Sequence, residues 1–350
     1  MPTAVYTSEE AQPPTTELEQ EFRHLGLSLL GIQYDHTNSI LIQNRRFRSH
    51  YGTGWVVVAH LWRELESAMI EIAEGRNIKK KHLLWCLYFF KLYDTEATCA
   101  TRFHTTEKTF RERCRQCIDL MALLEPSYVS FNGKKIDFFY FDFLTPFLQI
   151  KLENRYKDDI RNDCLLSVDT TDCRICELYP FIKSYSKIWS SHKFGKKAGV
   201  RYELALGIRS GDICWINGPF PCGLYNDWKI FNQCGLRSCL EEHERVEADR
   251  GYSAGDPEVC KTPDGCFHPK EKKEMRNRIM GRQETVFARF KNFDILNKPF
   301  RVKAKNLEIH RDIFSAIAVI IQIGIQHGDA PLYSCSEYAD WSRLEIIKEL

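Results

Sequence analysis

The stretch that decides the fold is Arg245-Val-Glu-Ala-Asp-Arg-Gly-Tyr252. Val246–Ala248 reads as a short strand that stops at Asp249, and a helical pattern downstream carries Glu284, 35 positions beyond Asp249. Upstream, Leu165-Leu-Ser-Val-Asp-Thr-Thr171 gives a short buried-strand run that ends at Asp169. Three acids are thus expected at two strand ends and on one helix. Oxygen donors brought together in that way suit hard divalent cations.

Between the two strand-borne acids the pattern continues as strands. Val200–Ile208 alternates, with Tyr202, Leu204, Leu206 and Ile208 on one face, and Arg209-Ser-Gly-Asp212 has turn chemistry. Ile213–Ile216 then returns as a hairpin partner. Asp227–Cys234 reads as a helix, with Asp227 at its start as an N-cap candidate and as the rival or auxiliary to Asp249. In the last helix Ile279, Val286, Phe287, Phe290 and Phe293 form the buried stripe, with Glu284 at its border and Gln283 nearer its centre. The order strand-acid, hairpin, helix, strand-acid, helix-acid is that of an RNase H-like fold: α/β, a mixed sheet flanked by helices.

Outward from there, the 350-residue, 41.0 kDa chain is long enough for two domains. The expected division is a disordered tail over 1–30, a helical helix-turn-helix-like domain over 31–125 and a linker over 126–163. An RNase H-like domain over 164–330 and a C-terminal tail over 331–350 complete it. Residues 1–20 are polar and acidic, with no apolar core of a signal peptide. Ile313–Ile325 is shorter than the ~20 apolar residues a bilayer span needs. Net charge is only +2, so any nucleic-acid surface must come from local clustering. Fourteen cysteines scattered through a long chain without an export signal are expected to be reduced.

In the N-terminal part, helices are expected over Val56–Leu65, capped by Thr53, and over His82–Tyr93. A short helix follows Asp94-Thr-Glu96, with a break at Phe103-His104 and a third helix from Thr105 or Thr106 to Leu124. That helix puts Phe110, Cys114, Cys117, Ile118 and Met121 on one side and Lys108, Arg111 and Arg115 on the other. Two readings stand: a base-reading helix-turn-helix, or a helical bundle with a solvated basic face. The aromatic cluster Phe138–Phe147 is expected to pack between domains. Lys193, Lys196 and Lys197 form a second basic patch, open to the same choice between phosphate contact and solvated loop.

At these residues the chain resembles the PIF/Harbinger class of DDE transposase nucleases. The resemblance runs over most of 40–327. It is carried by Leu83–Leu124, Ser191-His-Lys-Phe-Gly-Lys-Lys197, Gly218-Pro-Phe-Pro-Cys-Gly223, Asp249-Arg-Gly-Tyr252 and Arg282–Leu296. Two departures stand out. Asp169-Thr-Thr171 replaces Asp-Gly-Thr, and Gly223-Leu-Tyr-Asn-Asp227 replaces Gly-Ser-x-His-Asp. The resemblance implies phosphodiester hydrolysis at transposon ends, followed by attack of a 3′-hydroxyl on target DNA, in the nucleus and often with a Myb-like DNA-binding partner. Lys79-Lys-Lys81 and Lys270–Arg278 are the basic runs a nuclear signal could use. A homo-oligomer is left open.

The chemistry calls for two magnesium or manganese ions about 3.5–4 Å apart, with Asp169 bridging and Asp249 and Glu284 each completing one site. Cys234, Cys239, Cys260, Cys266 and His268 bracket the loop between the second and third acids and are the zinc candidates, against a reading as free thiols. The alternatives to the nuclease are a retired transposase kept as a DNA-binding or protein-interaction module, and an RNA-cleaving enzyme on the same scaffold.

Overall fold

The computed structural model describes residues 16–32, 39–72, 78–129, 164–176, 187–208, 211–240, 245–252, 259–262, 270–301, 307–327 and 329. The aromatic cluster 138–147, the tail 331–350, Cys266 and His268 lie outside them. The chain combines a helical N-terminal region with a mixed sheet flanked by helices.

Helix α1 (Glu17–Leu29) starts where Thr16 Oγ1 accepts from the Glu19 amide. Part of the expected tail is therefore ordered. Phe22 is fully buried and meets Trp62 edge-on at 6.1 Å, while bare Gly26 leaves room for the Phe47 ring. The apolar residues at 18, 22, 25 and 29 are diluted by acids, so composition hid the helix while spacing carried it. Helix α2 (Ile40–Tyr51), capped by Ser39 and stopped at left-handed Gly52, was not anticipated.

Helix α3 (Trp55–Ile72) buries Val57, Leu61 and Leu65 as expected, and α4 (Lys80–Leu92) is almost wholly interior. Thr95 caps α5 (Glu96–Arg102), and His104 turns the chain with φ 50°. Thr106 caps α6 (Glu107–Leu123), whose expected apolar side is buried; α7 (Glu125–Tyr128) closes this part.

The sheet holds β1 (Cys164–Arg174), β2 (Ser190–Ser191), β3 (Lys197–Gly207), β4 (Ile213–Pro221), β5 (Arg245–Ala248) and β6 (Cys260–Lys261). Along the sheet the order is β4–β3–β1–β5–β6, with β2 also paired to β3. The neighbours of β3 are antiparallel, whereas β5 lies parallel to β1 and β6 parallel to β5. Strand β6 is a correction within the expected loop between the second and third acids.

A second correction concerns β1, which does not end at Asp169. It runs on to Arg174 because β3 supplies a full-length antiparallel partner, whereas its pairing with β5 stops at Val168↔Ala248. Thr170 and Thr171 thus occupy strand positions, where β-branched side chains fit, and no bare turn is needed.

Helices α8 (Asp227–Gln233) and α9 (Leu236–Cys239) cover one sheet face. The other is covered by α10 (Lys270–Lys291), α11 (Asp294–Asn297) and α12 (Leu307–Gln326). The apolar run 313–325 is buried throughout α12, and no helix among the described residues is long and apolar enough to cross a membrane. Gln322, one of its polar interruptions, accepts from the Ile213 amide (2.8 Å) and donates to Asp212 (2.7 Å). Through α12 the helical N-terminal region and this sheet face share one continuous core.

Candidate active site

Alternation along β1 and β3 separates the two faces. Leu166 and Val168 pack with Ala205, Phe231, Val246 and Ala248 beneath α8, while Ser167 faces α10. There Gln283, fully buried, accepts from Ser167 Oγ at 2.9 Å and donates to the Leu204 carbonyl at 3.0 Å. This explains an amide at the centre of an apolar stripe: it satisfies one hydroxyl and one strand carbonyl and pins α10 across β1 and β3.

Asp169 stands one residue beyond the last β1–β5 pair, and Asp249 one residue beyond its partner. Adjacent strands lie about 4.8 Å apart, so the two carboxylates emerge side by side where β5 stops. Asp249 Oδ1 accepts from the Gly251 amide at 2.8 Å, in the 3-10 turn Arg250–Tyr252. A Cβ placed on Gly251 would overlap Asp227 Oδ2 and lie 2.9 Å from Asp249 Oδ1. Glycine is thus what lets those two carboxylates approach the same point of the backbone.

Asp227 is not the N-cap of α8. Asn226 caps it, accepting from the Lys229 amide at 2.8 Å, which leaves Asp227 in the first turn with its carboxylate turned to the sheet. There Oδ1 accepts from Thr170 Oγ1 (2.5 Å) and Arg201 (2.8 Å). Arg201 also grips Asp172 through two nitrogens, at 2.7 and 3.1 Å, and Ser191 Oγ donates to Asp172 at 2.5 Å. Burial pushes the Asp172 carboxyl up, yet Arg201 and Ser191 hold it below the usual range.

Asp169 lacks such a counter-ion. Burial first, and the Asp249 charge second, push its carboxyl up to about 7. Burial and Asp227 also raise Asp249. Glu203, fully buried on β3 and hydrogen-bonded by Trp215 Nε1 at 3.1 Å, is raised to about 8 by desolvation. Lys193 donates to the Thr170 carbonyl at 3.1 Å and lies near enough to Asp169 and Asp249 to oppose their upward shifts.

The structure therefore brings Asp169, Asp249 and Asp227 together, with Lys193 beside them. Glu284 is exposed on the outer border of α10 and makes no hydrogen bond or ion pair among the described residues. No three His, Cys, Asp or Glu side chains among the described residues are gathered tightly enough to hold an ion outright. Sequence reasoning missed Arg201, Gln283 and Thr170. Arg201 and Glu203 on the otherwise apolar β3 were the available signal, since buried charges call for partners.

The other candidates divide. Arg111 pairs with Glu96, Arg115 with Asp119 and with Asp312 of α12, each at 2.7 Å, and Lys108 faces Glu112 at 3.9 Å. The basic side of α6 is thereby answered by carboxylates, and Arg115 is turned to α12 rather than outward. Lys196, at φ 67°, and Lys197 are exposed at the β2–β3 turn. Cys234 and Cys239 are half-buried and in no disulfide, and Cys260 is packed in the core under α8. Comparison with family models, curated proteins and solved structures gives no match.

Proposed function

We propose that the chain is a metal-dependent phosphodiester nuclease of RNase H-like architecture, acting on DNA. The observation that carries this is the approach of Asp227 and Asp249 to Gly251, with Asp169 one strand over beside Asp249 where the β1–β5 pairing stops. The strand order, with three antiparallel strands and two parallel to the first, supports the architecture. The donor set fits hard divalent cations: carboxylate oxygens at a half-open edge, with the Asp169 carboxyl raised to about 7 by burial first and the Asp249 charge second, a repulsion that a cation would relieve.

Asp169 and Asp249 would hold magnesium or manganese. When bound, the metal supplies a nucleophile at neutral pH and neutralises charge on the scissile phosphate. Arg201, itself held by Asp172, fixes Asp227 by a direct bond and so sets the third carboxylate. Thr170 Oγ1 donates to Asp227 and orients it from below. Glu284 is exposed on α10 and bonds none of these groups among the described residues, so it is the member that substrate or metal would have to recruit. A nuclear location and a separate DNA-binding partner belong to the same proposal.

One observation favours the non-catalytic reading, a DNA-binding or interaction module derived from such a nuclease: Lys193 already offsets the aspartate pair. Nicking of supercoiled DNA with magnesium or manganese separates the two. Asp249→Asn is expected to lower nicking at least ~100-fold, as loss of a metal-holding carboxylate should. Asp169→Asn should also abolish the rise in melting temperature on adding manganese. Parent protein that neither nicks DNA nor an RNA–DNA hybrid and shows no manganese shift removes the nuclease.

A further inference from the structure

We propose that a groove between α2, α10 and α12 binds the sugar-phosphate backbone of a nucleic acid that passes over α10 toward the aspartates. The destination rests on the nuclease reading; the binding itself does not. The groove has a volume of about 560 Å³. Arg45 and Arg48 enter it from α2, Lys91 from α4, and Arg289 with Asn292 from α10, and Asp329 is the one carboxylate among its lining residues. Four cations against one anion is a surplus that the basic side of α6, with its carboxylates, does not show.

Helix ends explain part of this surplus. Arg48, Lys91 and Arg289 each occupy the last turn of a helix, where the macrodipole favours a cation. Arg45 has no such cause. It lies mid-helix, exposed, and makes no hydrogen bond or ion pair among the described residues. Arg48 and Arg289 both turn to Asp329, through its carboxylate and its carbonyl respectively. Burial and the Arg48 charge hold the Arg289 guanidinium below its usual range, and burial does the same to Lys91. An anion in the groove would relieve both.

The groove is also joined to the acids by one helix. Glu284, Ala288 and Asn292 form an exposed row four residues apart along α10. From Glu284 to Asn292 the helix rises ~12 Å, at 1.5 Å per residue. That equals three or four nucleotide steps at about 3.4 Å. One strand of a duplex laid along α10 would therefore cover the row from Asn292 at the groove to Glu284 in less than half a helical turn.

The test is fluorescence anisotropy of the full chain with a labelled duplex of about 20 base pairs, in EDTA, from ~50 to ~200 mM salt. Arg45→Glu is expected to weaken binding about tenfold at the low-salt end and to reduce the salt slope by about 1. Arg45→Lys should keep most of the affinity, and Arg111→Glu all of it. Because Arg45 is exposed and makes no hydrogen bond or ion pair among the described residues, the fold is not at stake. Parent-like binding by Arg45→Glu, or no salt-dependent binding by the parent, overturns the groove. The manganese shift is a separate readout: its loss with Arg45-dependent binding intact would remove the nuclease and leave the groove.

Discussion

The two faces of the sheet differ in what they bury. Toward α10 and α12 the sheet presents Tyr202, Leu204 and Leu206 to Phe290, Phe314 and the run of isoleucines along α12. Toward α8 it presents a smaller apolar cluster beside Arg201, Asp172, Glu203 and the carboxylate of Asp227. The first face is held mainly by apolar burial, at about 25 cal/mol per Å², with Gln283 and Gln322 as its neutral polar fastenings. The second keeps charges out of water, which costs stability unless each is paired. Asp172 and Asp227 are paired through Arg201, whereas Asp169 is pressed against another acid. Lys193 offsets that repulsion only in part, so Asp169 and Asp249 are where a cation has most to offer.

Four substitutions break or sharpen this contrast. The largest effect is expected on the apolar face. Phe314 is fully buried, stacked on Tyr202 at 3.8 Å and on Phe290 at 4.6 Å, so Phe314→Ala should cost about 3–5 kcal/mol in denaturant unfolding. On the polar face Arg201→Ala strands Asp172 and part of Asp227 and should cost about 3 kcal/mol. The same unfolding measurement with Asp172→Ala added should recover part of that cost; a fully additive loss would mean that the charges were never coupled.

The smallest effect has the opposite sign. The Asp169 carboxyl is raised above its unfolded value of 3.8 to about 7, so its contribution is intact below pH 4 and is lost as pH rises through 7. Asp169→Asn should therefore match the parent near pH 4 and exceed it near pH 8, by on the order of 2 kcal/mol. Glu203, raised to about 8, and the buried His310, held down to about 3, add pH dependence common to both proteins. The difference between variant and parent is thus the quantity to plot. A variant no more stable at pH 8 would show that burial and the Asp249 charge do not raise the Asp169 carboxyl.

Much of the fold was legible. Period-2 alternation located β3, the helical stripe 279–293 located α10, and Thr95 and Thr106 marked the starts of α5 and α6, because caps and periodicity are local. Less legible were α1, whose acids mask its apolar spacing, and β6, two residues long. The end of β1 was misjudged because strand length depends on the partner. Of the candidate site, Asp169 and Asp249 were found as acids after short strands, but the pairing of Asp227 with Arg201 joins residues that the sequence leaves unrelated.

What the sequence determined by itself is the alternation of local patterns: which segments are helix or strand, where they start, and which side of each is apolar. Those properties arise from interactions within a few residues along the chain. Only the tertiary structure decided that β1 outlasts β5, that Gln283 fastens α10 to the sheet while Glu284 faces outward, and that the basic side of α6 is answered while Arg45 is not. Each of these depends on a partner distant in the chain, and pairing of charges and length of strands are set by what lies opposite.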